Sequence, residues 1–276
     1  MFDIVCSIVI YKSERIQLLS AIKSFLNTSL NVKLLLIDNS PTDTLKDVVI
    51  DERCEYFHNP GNPGYGTSHN VGVKRSAHLA KYYLVLNPDV YFRRCVIEEL
   101  FFFMEKNSTV GLLMPKVLYP NGEVQYLAKL LPNPWYFISR RLIPFGRLSQ
   151  WITEKYELRY TGYNTIMEAP YLSGCFMFFR SKVVAEINGF DENIFMHMED
   201  LDISRRSLET GYKNVYYPNQ FIYHDHIFKH MYSYSNLKMY LTSALYYFNK
   251  WGWFFDKDRC EINKRTILNW DKSTFE

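Results

Sequence analysis

The chain has 276 residues, 47% of them hydrophobic, and a formal net charge of +3. That is ample apolar material for one large α/β domain or two small ones, and so small a charge, with no dense Lys/Arg run, argues against a nucleic-acid partner. Five cysteines without a CxxC pair, and no run of about twenty apolar residues, argue against a disulfide framework and a spanning helix.

Residues 4–10 read as a buried first strand, and Ile16, Leu19, Ile22 and Leu26 recur at helical spacing after it. A second strand at 33–37 ends in Asp38-Asn39-Ser40-Pro41, which places a carboxylate at a strand's carboxyl end in a loop of turn formers. An Asx-turn or a helix cap would use Asp38 in the same way. A third strand at 54–57 leads into Asn59-Pro60-Gly61-Asn62-Pro63-Gly64-Tyr65-Gly66, followed by Asn70-Val71-Gly72. The glycines allow tight turns and close approach to a ligand, with Thr67 or Ser68 capping a helix to about residue 79. Their spacing matches neither a Rossmann fingerprint nor a P-loop.

A fourth strand, 82–86, is stopped by Asn87-Pro88-Asp89. This is the second strand to end in a carboxylate, at the sheet edge where open α/β folds place ligands. A helix over 94–106, a strand over 110–114 and a hairpin turn at 119–123 follow. Residues 130–165 show no clean period and mix Trp135, Tyr136, Phe137 and Trp151 with Arg140, Arg141 and Arg147. That mixture fits an acceptor flap, a membrane-facing patch or an irregular excursion. Residues 169–180 read as a strand in which Gly174 marks close backbone approach or a bulge.

Ser181 opens a short helix ending at Gly189, and Glu199, Asp200 and Asp202 crowd the start of the next. One acidic residue there suits the helix dipole. Three in four positions repel, which raises one pKa and makes a usable general base near neutral pH. Short strands at 215–217 and 221–223 end in His224-Asp225-His226, whose two histidines would face opposite ways, so that only one can serve a given site. From residue 237 to 255 an aromatic-rich helical pattern flanked by Lys238 and Lys250 fits an interfacial helix as well as one packed on the main domain.

Taken together, Asp38-Asn39-Ser40, Asn62-x-Gly64-Tyr65-Gly66 with Asn70-x-Gly72, Leu86-Asn87-Pro88-Asp89, Gly174-Cys175-Phe176-Met177, Gly189-Phe190-Asp191-Glu192 and Glu199-Asp200-Leu201-Asp202 with Arg205 resemble glycosyltransferase family 2, most closely its bacterial rhamnosyltransferase-like branch. The likeness covers roughly residues 3–226. It implies an α/β protein of the GT-A fold, a single mixed, mostly parallel sheet flanked by helices, with a C-terminal helical, aromatic-rich extension. The catalytic domain would span 1–226, with a nucleotide-binding half at 1–90 and an acceptor half at 91–226, and the extension 227–276.

The resemblance implies a donor site of Asp38, Asn39, Asn62, Gly64, Asn70, Asn87 and Asp89. Asp89 and His224 would hold Mg²⁺ or Mn²⁺ on the diphosphate. Asn87 stands where many relatives carry Asp, and an amide is the weaker ligand. Asp200, beside Glu199, would be the base of an inverting transfer, while Arg205 would steady the diphosphate or, the reading favoured here, pair with Asp202. The implied reaction moves L-rhamnose from dTDP-rhamnose onto a lipid-linked glycan of a bacterial surface polysaccharide, O-antigen or capsule, in the cytoplasm at the inner face of the cell membrane. Another nucleotide-hexose, a UDP- or GDP-sugar, is the runner-up. A sugar nucleotidyltransferase would carry a basic Gly-rich loop after the first strand, where Tyr11-Lys12-Ser13 stands instead, and a non-catalytic sugar-binding protein would not need Asp200.

Overall fold

A computed structural model describes residues 1–136, 146–225 and 234–270. In chain order its strands are β1 (Phe2–Ile10), β2 (Val32–Asp38), β3 (Cys54–His58), β4 (Ala80–Leu86), β5 (Val90–Tyr91), β6 (Val110–Leu118), β7 (Ala128–Lys129), β8 (Met167–Glu168), β9 (Tyr171–Leu172), β10 (Phe176–Arg180) and β11 (Lys213–His224). The helices are α1 (Arg15–Leu26), α2 (Tyr65–Leu79), α3 (Val96–Lys106), α4 (Arg147–Tyr156), α5 (Ser181–Glu186), α6 (Glu199–Glu209), α7 (Tyr234–Trp251) and α8 (Lys257–Asn269).

Most strands join one mixed sheet in the order β3-β2-β1-β4-β10-β6-β11-β5, with β8 also on β11. The first four are parallel. Their near-continuous buried runs, such as Leu34 to Asp38, show that both faces are covered. β10 enters antiparallel between β4 and β6, pairing Phe176 with Leu86 and Arg180 with Tyr82. Its first residue therefore lies beside the carboxyl end of β4. That reversal brings a late segment of the chain to the ligand edge of the early half. Tyr82, stacked on Phe178 at 5.1 Å, belongs to the fully buried core beneath.

Several expectations change in detail. The strand read at 169–180 breaks around Ser173–Cys175 into β9, which pairs with β7, and β10. The two short strands before His224 are one strand whose register slips between Tyr217 and Phe221. The irregular excursion contains α4, and α8 lies beyond the last helix anticipated. Phe137, Arg140, Arg141 and His226 lie outside the described residues.

Between the two readings of α7, packing is what the structure shows for one face. Tyr247 and Phe248 are 0% and 2% exposed and share an apolar cluster with Leu131, Ile194, Met198 and Leu201. Leu241 and Leu245, nearer the start of the helix, stay about half exposed at 50% and 51%. Among the described residues no helix is long and apolar enough to cross a membrane.

Candidate active site

The carboxyl ends of β2 and β4, the entry to β10, the end of β11 and the first turn of α6 together build the candidate site. Asp38 closes β2 as an Asx-turn, its Oδ1 accepting the Ser40 amide at 2.8 Å, while Oδ2 accepts the Tyr56 hydroxyl at 2.6 Å. It is fully buried, with both carboxylate oxygens engaged inside the protein. Asn39 gives its amide to Ser68 Oγ at 2.8 Å and leaves Oδ1 buried with no hydrogen-bond partner among the described residues.

Asn62 sits at φ +41° before the Gly64 turn. Gly64 has φ +104°, and a Cβ there would lie 2.5 Å from the Phe195 carbonyl oxygen. Only glycine lets α2 start so close to the loop before α6; no side chain caps the helix, which begins at Tyr65 and not at Thr67 or Ser68. Asn70 faces the loop before α6. Its Nδ2 donates to the Phe190 carbonyl and to Glu192 Oε1, each at 3.0 Å, and its Oδ1 accepts the Phe190 amide at 2.8 Å. With both amide protons and one lone pair of its oxygen engaged, the side chain pins the Gly189–Glu192 loop.

At the end of β4, Asn87 accepts the Tyr65 hydroxyl on Oδ1 at 2.7 Å, and the same hydroxyl lies 2.9 Å from the Gly174 carbonyl. The Asn87 amide nitrogen therefore turns toward His224 Nε2, 3.5 Å away. Asp89 Oδ1 lies 3.4 Å from that same Nε2 and has no hydrogen-bond partner among the described residues. His224 is held from behind by Gln125, which accepts from Nδ1 at 2.9 Å and donates to the His224 carbonyl at 2.7 Å. A proton on Nδ1 leaves the Nε2 lone pair facing the Asp89 carboxylate. Two electron-rich atoms brought that close suit a cation between them. The donor set, one carboxylate and one imidazole oriented by an outer amide, fits a divalent ion that draws its other ligands from phosphate and water.

The first turn of α6 follows His197 and Met198, both left-handed at φ +66° and +69°. Successive non-glycine residues in that region hold about 1–3 kcal/mol of strain each. They aim the turn at Gly174, whose amide donates to Asp200 Oδ2 at 2.9 Å, joined there by the Tyr171 hydroxyl at 3.0 Å. Asp200 Oδ1 accepts the Leu201 amide at 2.9 Å. Three donors on two oxygens make a setting for an ionised carboxylate that is still part-exposed. A Cβ on Gly174 would lie 3.1 Å from the Asp200 Cβ, so a side chain here would press on the carboxylate's mount.

Glu199 differs from its neighbour. It is 7% exposed, its Oε2 has no hydrogen-bond partner among the described residues, and burial, then the charge of Asp200, pushes its pKa up to about 8. At neutral pH it is a neutral acid beside a carboxylate. Cys175, between Gly174 and β10, is lifted by burial to about 12 and stays a thiol.

Arg205 and Asp202 leave the site altogether. Arg205 forms a bidentate pair with Asp256 at 2.7 and 2.8 Å, both side chains 3% exposed, with its guanidinium over the Trp251 ring. Asp202 takes Arg206, one turn on, along with Lys250 Nζ and Trp251 Nε1. The expected Arg205–Asp202 pair is thus replaced, because the i+4 neighbour has the better reach and Arg205 faces the tail. Gln125, Tyr171 and Tyr56 were given no role from sequence, nor was Tyr65, which appeared only within the Asn62-x-Gly64-Tyr65-Gly66 motif. Each lies in an ordinary local pattern and acquires its role from a partner 18 to 109 residues away.

The profile of the family described as "Glycosyl transferase family 2" matches residues 6–187. The N-acetylglucosaminyl-diphospho-decaprenol L-rhamnosyltransferase of Mycobacterium tuberculosis is 27% identical over 213 residues, which are 72% of this chain and 68% of that protein. The low-salt glycan biosynthesis hexosyltransferase Agl10 of Haloferax volcanii is 24% identical over 208 residues, 74% of this chain and 61% of its own length. Among solved structures, GalNAc-T7 with UDP, GalNAc and Mn²⁺ aligns with a TM-score of 0.65 at 15% identity over 87% of this chain. S. aureus TarS aligns at 0.59 and 14% over 98%. The chain spans a little under half the length of those two, 48% and 44%.

Proposed function

Given that this chain belongs to glycosyltransferase family 2 and has the GT-A fold, we propose that it is an inverting transferase moving L-rhamnose from dTDP-rhamnose to a lipid-linked glycan of a surface polysaccharide. The observation that carries the reading is Tyr65. Its hydroxyl touches both the Asn87 turn and Gly174, and so joins the Asp89–His224 pair to the peptide that holds Asp200.

Asp200 takes the proton from the acceptor hydroxyl as that oxygen attacks the anomeric carbon from the side opposite the leaving diphosphate, which inverts the centre. Tyr171 and the Gly174 amide fix the direction of the carboxylate, and Glu199, protonated at neutral pH, leaves Asp200 as the charged member of the pair. Asp89 and His224 Nε2 would hold Mg²⁺ or Mn²⁺ on the diphosphate. When bound, that ion neutralises charge building on the leaving group. The rhamnosyl donor and the lipid-linked acceptor are suggested by the mycobacterial relative's name, and an acceptor of that kind would bring the enzyme to the inner face of the cell membrane. The archaeal relative, named a hexosyltransferase, supports the alternative of another nucleotide-hexose donor.

A panel of nucleotide-sugars, with and without Mn²⁺, tests this by thermal stabilisation and transfer. dTDP-rhamnose should stabilise the protein most, and chelation should weaken that effect. Asp200→Asn should lower transfer by about 10²–10⁴-fold while donor binding persists. Near-normal turnover in that variant would remove Asp200 as the base.

A further inference from the structure

Away from the ligand edge, an apolar groove of about 840 Å³ runs between α4 and α8. Tyr156 and Leu131 line its inner part, and Trp135, Leu148, Trp151 and Leu268 line it while remaining 58–64% exposed. Scattered exposed hydrophobics are ordinary, but four large ones along one groove mark a surface that binds something apolar. The charged residues of the lining are Lys155 and Lys264, with no carboxylate among them. Such a lining accepts an apolar occupant and does not repel one that carries an anionic group.

The groove also adjoins the base. Leu131 packs in the same apolar cluster as Tyr171, whose hydroxyl donates to Asp200. Two residues before Leu131, Lys129 places its Nζ 5.5 Å from the centre of the Tyr171 ring. At the inner end the Tyr156 ring stacks on Tyr136 at 3.6 Å. Asp200, the Tyr171 ring, Lys129 beside that ring and Leu131 of the groove thus form one linked set.

Building on the functional reading above, we propose that this groove seats the isoprenoid tail of a lipid-diphosphate acceptor, with Lys129 meeting the diphosphate and the acceptor sugar lying at Asp200. A tail held there would let the enzyme select its acceptor by lipid as well as by sugar, and would fix the sugar's distance from the base.

The test is a tryptophan-fluorescence titration of the full chain with geranylgeranyl diphosphate and with dimethylallyl diphosphate, which carries the same headgroup on a single prenyl unit. The longer chain should bind about tenfold or more tightly. The double variant Leu148→Glu/Leu268→Glu, at exposed positions and with an unchanged melting temperature, should erase that preference. Lys129→Ala should weaken both ligands by the same factor. Equal affinity for the two prenyl chains, or a preference that survives in the double variant, overturns the proposal. So does a double variant that keeps the preference but no longer sediments with phosphatidylglycerol vesicles, since the groove would then be a bilayer contact. Sugar transfer without any chain-length preference sinks the groove and leaves the functional reading standing. Chain-length preference without transfer to any acceptor supports the lipid site and sinks the functional reading.

Discussion

Replacing Glu199 with glutamine isolates the electrostatics beside Asp200. In the folded protein its carboxyl is raised from 4.5 to about 8, first by burial and second by Asp200. In the unfolded chain it titrates near the ordinary value. Between the two the native state keeps a proton that the unfolded state has released, so this group's contribution is full below about pH 4.5 and is lost as pH rises through about 8. At about 1.4 kcal/mol per tenfold change in proton affinity, the ceiling is about 5 kcal/mol. Sharing of the proton with Asp200 and relaxation of the first turn of α6 bring the expected effect to about 2–3 kcal/mol. Glutamine keeps the shape and cannot ionise. Urea unfolding of parent and variant from about pH 5 to about pH 9 should show the parent falling progressively below the variant and the gap flattening above about pH 8. Two parallel curves would refute the buried, neutral assignment. Glu199→Gln should also retain most transfer at neutral pH; a loss as deep as that of Asp200→Asn would make Glu199 the base instead.

Gln125→Leu removes both bonds that orient His224, and Mn²⁺-dependent donor binding should weaken by about 10–100-fold with little change in metal-free binding, as read by calorimetry. Asp256→Ala strands the buried Arg205 guanidinium and should lower unfolding free energy by about 3–5 kcal/mol in a denaturant titration. Gly72→Ala would set a Cβ 2.7 Å from the Tyr83 hydroxyl, which is bonded in turn to Ser7 and the His69 carbonyl. The displaced buried network should reduce stability by about 1–3 kcal/mol, seen as a lowered melting temperature.

What could be read from the sequence was what short-range chemistry encodes. Strand ends marked by Asp38 and Asp89 and the crowded start of α6 are local patterns, and they do converge on one edge of the sheet. Local pattern also misleads. Asn70 and Arg205 stand in motifs that point to a donor, yet Asn70 is engaged by Phe190 and Glu192 across 120 residues or more, and Arg205 by Asp256 across 51. Such pairings depend on which elements the sheet reversal at β10 brings together, which no window of sequence contains. α8 carried one readable sign, Asp256, whose side chain accepts the Arg259 amide as an N-cap. Its surface is too polar for a strong helical stripe, so the pattern alone did not extend past Phe255.

α6 begins at Glu199 and Asp200 and, within its next two turns, clasps the C-terminal segment through Asp202 and Arg205, while Arg206 braces Asp202 from within the helix. The protein is consequently a poor candidate for cut-and-paste engineering at residue 226. A tail grafted from a relative would arrive without a matched Lys250, Trp251 or Asp256, leaving charges of α6 stranded in the interior and the base on a loosened mount. Any exchange of the tail has to carry residues 199–206 with it.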